Sequence, residues 1–232
     1  MIVADGWSTY SIWAHSASVR DLYRRRCRME EPEMDCAAQA ADLLATVARS
    51  GESILDVGCG AGSFLHSLRR RHLDLDYLGI DADPTFIDIG RTELAPYGLR
   101  PEQLRVMRIE DLDGTVDHVL CLNVLTNLDN FHRPLERMLR CARRGVLLRE
   151  SIAATSSYHY VRDEYLDDGV DLRVHVNTYA RDEITSFIRS FGFDVECITD
   201  RRTQGRPELV IGHPHHWTFV HARRRTDQES AA

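Results

Sequence analysis

From about residue 50 to residue 225, short apolar runs alternate with stretches whose apolar residues recur every three or four positions. The first pattern fits strands buried on both faces and the second fits amphipathic helices. Strands are predicted at 53–57, 76–80 (running into Asp81), 104–109, 117–122, 145–149, 193–199 and 217–222. Between them, helices are predicted at 62–71, from Asp83-Pro84 onward, around Leu135, Met138, Leu139 and Ala142, and at 181–191. In the last of these, Ile184, Phe187, Ile188 and Phe191 share one face and Gly192 is the stop. An alanine-rich helix over 36–49, capped by Asp35, precedes the first strand. Tyr10, Trp13, Ala14 and Ala17 fall at i, i+3, i+4 and i+7, which predicts a short amphipathic helix in a lead-in over 1–34. Residues 151–180, rich in Ser, Tyr, His and Asp, break the rhythm and are long for a connection. Residues 35–225 thus read as one domain with an insert at 151–180, and 226–232 as a frayed tail. Repeated βα units imply an α/β fold: a mostly parallel sheet with helices on both faces, plus an antiparallel strand from a C-terminal hairpin.

Composition narrows the chemistry. The 232 residues suit one well-buried domain. The charge sum is 29 minus 36, or −7, which argues against a nucleic-acid partner held by a basic face. All the basic residues are arginine. Without lysine there is no Schiff-base chemistry and no P-loop. The six cysteines are scattered, with no CxxC pair, as in a reducing compartment, and no metal site is expected. His213-Pro214-His215-His216 has metal-binding residue types, but Pro214 and the lack of a neighbouring carboxylate count against it. No apolar run reaches membrane-helix length, and the N-terminus lacks a signal-peptide charge pattern, so the expected location is the cytoplasm.

The informative stretch is Asp56-Val57-Gly58-Cys59-Gly60-Ala61-Gly62, between a predicted strand and a predicted helix. Glycines there let the backbone turn sharply and approach a ligand. The next strand ends in Asp81, placed to accept hydrogen bonds from both hydroxyls of a ribose. A dinucleotide site would want glycine at position 63, where this chain has serine. Asp56 would repel a pyrophosphate but welcome an ammonium. The charge logic favours S-adenosyl-L-methionine over NAD.

On these residues the sequence resembles the class I S-adenosylmethionine-dependent methyltransferases. Residues 56–62 are similar to that family's glycine motif, Gly79-Ile80-Asp81 with Asp83-Pro84 to its ribose motif, and Asp117 to Leu125 to its fourth-strand motif. Ile109-Glu110-Asp111-Leu112 stands where its adenine-contacting motif belongs. The resemblance implies a Rossmann-like, seven-stranded sheet and methyl transfer from a sulfonium. It implies that Gly58, Cys59, Gly60 and Gly62 border the methionyl part and that Asp56 orients its ammonium. Asp81 and Ala82 would meet the ribose. Glu110 or Asp111 would meet the adenine amine, with Leu112 beside the ring, and Leu122 and Asn123 would line the methionyl end.

In an open α/β sheet, ligands sit at the carboxyl ends of the strands. The insert after the fifth strand should therefore border the acceptor. His159 and His175 are candidate bases, with Glu150 a third. Tyr10, Trp13 and Tyr23 are candidate lid residues, and Tyr158 and Tyr160 candidate acceptor contacts. The acceptor expected is a small polar metabolite, with oxygen the methylated atom. An RNA or protein methyltransferase, and a non-catalytic cofactor-binding subunit, remain open alternatives. Nothing in the sequence fixes the oligomeric state.

Overall fold

A computed structural model describes residues 11–225. Five strands, β1 (Ser53–Val57), β2 (Asp76–Asp81), β3 (Leu104–Val106), β4 (Val116–Leu122) and β5 (Ala142–Ala153), run parallel to their neighbours. The insert then forms β6 (Tyr160–Arg162), β7 (Arg173–His175) and the two-residue β8 (Tyr179–Ala180). The C-terminal part supplies β9 (Phe193–Thr199), β10 (Glu208–Val210), β11 (His213–His215) and β12 (Trp217–Arg224). The main sheet has the order β3-β2-β1-β4-β5-β12-β9, with β8 alongside the end of β5. This is the α/β, Rossmann-like arrangement expected. The antiparallel strand β12 is not at the edge but between β5 and β9. Its run Trp217 to Ala222 is buried throughout, as a strand covered on both faces requires.

Six helices flank the sheet: α1 (Ala17–Cys27), α2 (Asp35–Ala45), α3 (Phe64–Arg70), α4 (Pro84–Glu93), α5 (His132–Cys141) and α6 (Arg181–Ser190). Alternate strand residues feed opposite cores. Leu55, Val119, Val146 and Leu148 pack on α5 and α6 through Leu135, Met138, Ile184 and Ile188. Ile54, Leu120, Leu147 and Phe219 pack on α2, α3 and α4 through Ala40, Leu44, Leu68 and Ile87. A third, smaller cluster joins Ile12, Val174 and Val176, with Ile211 against it. It binds the N-terminal segment to the insert and to the tip of the β10–β11 hairpin, above the ends of the strands.

Several boundaries differ from expectation. The N-terminal helix does not run through Trp13 and Ala17. Trp13–His15 is a 3-10 turn, and Ser16 opens α1 by accepting from Val19 N–H. Tyr10 and residues 226–232 lie outside the described residues. Met34, not Asp35, takes the cap position of α2, and Asp35 sits in its first turn, where a carboxylate favours the helix dipole. The third strand stops at Val106, and Ile109–Asp111 forms a separate 3-10 turn. β5 outruns its predicted span because β4 pairs with it at Ala142, β12 as far as Ser151 and β8 at Ile152 and Ala153.

Candidate cofactor and acceptor cleft

β1 ends at Val57, and the chain turns through Gly58 and Gly60 into α3. Their φ angles are +67° and +55°, in the left-handed region that glycine enters without strain. Space is a second constraint. A Cβ on Gly60 would lie 2.3 Å from Cε1 of Tyr23, and one on Gly58 2.3 Å from Cγ2 of Val124. Asp81 ties this turn to β2. Its Oδ2 accepts from Gly60 N–H at 2.9 Å and its Oδ1 from Asp83 N–H at 2.9 Å. Each oxygen keeps acceptor capacity for a further donor. Burial pushes Asp81 up to about 6, opposed by those backbone bonds. Asp83 is itself fully buried, capping α4 through Thr85 N–H and accepting from the Ser11 hydroxyl at 2.8 Å.

A cleft of about 600 Å³ opens over these strand ends, within the size range of small-molecule sites. Of the residues expected at the cofactor, Gly58, Gly60, Asp81, Ala82, Glu110, Leu122 and Asn123 line it. Five others do not. Asp56 lies beneath the turn and accepts from the Tyr77 hydroxyl at 2.8 Å. Burial pushes it up to about 7, against that bond. Cys59 turns its thiol to the Gly60 carbonyl. Gly62 faces Leu104, Leu112 is in the core, and Asp111 is exposed.

Of the acceptor-side candidates, Trp13, Tyr23, Tyr160 and His175 line the cleft. Tyr158 packs edge-on to Tyr179, away from it. His159 stacks on His213 with ring centroids 4.0 Å apart and does not reach the cleft. Glu150 is wholly buried behind the loop that follows β4. Its Oε1 accepts from Val124 N–H and Leu125 N–H, each at 3.0 Å, and its Oε2 from Thr126 N–H at 2.9 Å and from the Thr126 hydroxyl. Burial pushes its carboxyl above the usual range while those bonds oppose the shift. Glu150 therefore holds the loop that carries Asn123 rather than facing an acceptor.

Met107 and Ile109, Asn127 and Asp129, and His215 and Trp217 also line the cleft; of these only Ile109, in the 109–112 motif, and His215, in the histidine cluster, stood out in the sequence. They follow β3, follow β4, and bracket the start of β12, so only the sheet order brings them together. Arg149, too, was without a signal. It is buried, pairs with Asp200 at 2.7 Å, reaches the Asn123 side chain, and stacks 4.4 Å over the Trp217 ring.

Residues 55–148 match a family model described as a methyltransferase domain. That span carries a methyltransferase domain, set within the α/β sheet described above. Two sequence relatives each match about a third of the chain. One is a ubiquinone biosynthesis O-methyltransferase of Acinetobacter baumannii, 31% identical over 83 residues, which is 34% of each chain. The other is an uncharacterised protein of Rickettsia prowazekii, 32% identical over 74 residues, 31% of this chain and 30% of that one. The chain thus spans about a third of the length of the relatives it matches. Among solved structures, it is similar to magnesium protoporphyrin IX methyltransferase of Synechocystis, with bound S-adenosylhomocysteine. The TM-score is 0.63 at 14% identity, over 95% of this chain and 100% of that one. An S-adenosylmethionine-dependent methyltransferase of Clostridium acetobutylicum gives 0.64 at 10% identity, over 90% and 98%. At these identities the structural likeness is one of fold. Among the described residues, no helix is long and apolar enough to cross a membrane.

Proposed function

We propose that the protein is an S-adenosylmethionine-dependent methyltransferase that methylates an oxygen of a small polar acceptor. The observation that carries this reading is Asp81, lining the cleft beside two bare glycines with acceptor capacity on both oxygens. The donor set fits the cofactor: a carboxylate for the ribose hydroxyls, Glu110 for the adenine side, and a turn whose Gly58 and Gly60 offer bare backbone to the methionyl chain. When bound, the cofactor supplies an electrophilic methyl carbon. The chain's own residues hold the acceptor in line with that carbon and keep water out.

Oxygen is a poor nucleophile until its proton is removed, so a base must stand at the acceptor end. His175, on β7, lines the cleft with its ring against Tyr160 at 4.6 Å. We assign it that role in preference to His159 and Glu150, which do not line the cleft. His175→Ala is expected to lower kcat by about 10²–10³-fold, with the dissociation constant for S-adenosylhomocysteine unchanged. A transfer assay with labelled methyl donor over metabolite fractions supplies the readout. Full turnover in the variant would remove His175 from the mechanism.

Cofactor affinity should also depend on pH through Asp81. The ionised carboxylate accepts from both ribose hydroxyls, whereas the protonated one has lost an acceptor position. Bound cofactor therefore favours the ionised form and draws down a group held at about 6 in its absence. Affinity should be level above about pH 7 and fall as pH drops through 6, to roughly a tenth by pH 5. Calorimetry with S-adenosylhomocysteine across that window checks it. A flat profile would assign the ribose contact elsewhere.

A further inference from the structure

We propose that the acceptor is a flat, ring-bearing molecule with an anionic group, held by Trp13, Tyr160 and Tyr165 on its ring face and by Arg173 at its anion. This rests on the methyltransferase reading above and narrows its acceptor. Four tryptophan or tyrosine side chains are exposed among the described residues: Trp13, Tyr158, Tyr160 and Tyr165, from 36% for Trp13 to 60% for Tyr165. Three of the four line the cleft. An aromatic ring left facing water forgoes burial, and convergence of several on one concavity marks a surface that a ligand covers.

The three come from two distant parts of the chain, the N-terminal turn and the insert, and those parts are held in fixed relation. Asp167 N–H donates to the His15 carbonyl at 2.8 Å, and Ala17 N–H donates to the Asp167 carboxylate at 2.7 Å. Arg20 adds an ion pair to Asp167 at 3.4 Å. Beneath them, Ile12 and Val174 share an apolar cluster. The aromatic walls are therefore set in place before a ligand arrives, which lowers the ordering cost of binding.

Arg173 supplies the charge. It stands opposite Arg162 in the β6–β7 hairpin. Arg162 is neutralised by Asp171 at 3.0 Å. Arg173 has no carboxylate within 4.0 Å among the described residues, and its one hydrogen bond runs to the Tyr160 carbonyl at 3.5 Å. Among the described residues, four carboxylates line the cleft and each has a partner of its own: Glu110 pairs with Arg108, Asp163 accepts from Tyr165 N–H, Asp129 from Asn130 N–H, and Asp81 from Gly60 and Asp83 N–H. In a chain of net charge −7, an unneutralised guanidinium in the cleft suits a carboxylate or phosphate, which it can grip with two parallel N–H bonds.

The test uses the full chain saturated with S-adenosylhomocysteine and four probes: 2-naphthoate, 2-naphthyl phosphate, 2-naphthalenemethanol and cyclohexanecarboxylate. At least one naphthyl anion should bind ten times more tightly than the neutral alcohol and the non-planar acid, and the stronger anion names the charged group. Trp13→Ala and Tyr160→Ala should each weaken that anion about tenfold. Arg173→Gln should bring it level with the alcohol. Leu209→Ala, at a 73% exposed position outside the cleft lining, should change nothing. Equal affinity for all four probes, or a loss in Leu209→Ala matching that in Tyr160→Ala, overturns the proposal. The titration with S-adenosylhomocysteine on the same samples separates the two readings. If it binds and the naphthyl anions show no preference, only the acceptor class falls. If it does not bind, both fall.

Discussion

Asp81→Ala is expected to weaken S-adenosylhomocysteine binding by about 10²–10⁴-fold while the protein stays folded. The size follows from the two ribose hydroxyls, each donating to an ionised acceptor. Such charge-assisted bonds contribute about 1.5–3 kcal/mol each, and about 1.4 kcal/mol is a factor of ten. Folding should suffer little, because two opposing effects meet at this residue. Its loss leaves the Gly60 and Asp83 amides without their acceptor. It also removes a carboxylate whose ionised form is disfavoured by burial below about pH 6 and tolerated at a cost above it. Asp81→Asn should be milder, near tenfold, since one oxygen remains. Calorimetry measures the affinity, and thermal melting of the same samples confirms the fold. Unaltered affinity in Asp81→Ala would sink the cofactor assignment.

The glycine turn and Asp81 were legible as cleft residues in the sequence because local chemistry builds them. Gly58, Gly60 and Asp81 sit at strand ends whose apolar runs are unambiguous, and Pro84 and Asp83 mark the helix start that fixes Asp81. What was illegible depends on long-range pairing. β6 and β7 are three residues each and find each other across a loop, too short for periodicity to register. Trp217 reaches the cleft because β12 inserts beside β5, a placement no spacing predicts. Glu150 shows the same gap differently. A carboxylate at a strand end reads as a candidate base, and only the loop folded around it reveals its backbone partners. Asp56 likewise reads as a ligand for an ammonium, yet Tyr77, two strand registers into the sheet, has taken its oxygen.

Glu150 carries the other large effect, on stability. Glu150→Ala is expected to cost about 3–5 kcal/mol, since it strands several buried neutral donors, each costing about 1–3 kcal/mol when left unmatched. The Val124 and Leu125 amides, with the Cys121 thiol at 4.0 Å, converge on one oxygen and the Thr126 amide and hydroxyl on the other, and truncation would leave all of them buried and unmatched. In a protein of this length each kcal/mol lowers Tm by roughly 2–4 °C, so a fall of about 6–20 °C should appear in a melting curve. Glu150→Gln is the more discriminating change. Whichever oxygen becomes the amide nitrogen, it meets two donors and accepts from neither, so this near-isosteric variant should also lose about 2–3 kcal/mol. The loop it supports holds Asn123 at φ +60° with Asn127 bonded to its carbonyl, and both asparagines line the cleft. Loosening it should therefore weaken S-adenosylhomocysteine binding along with stability, and thermal melting with and without that ligand measures both. A general base would behave otherwise: Glu150→Gln would keep its Tm and its cofactor affinity and lose only turnover, and that outcome would return Glu150 to the acceptor's side of the reaction.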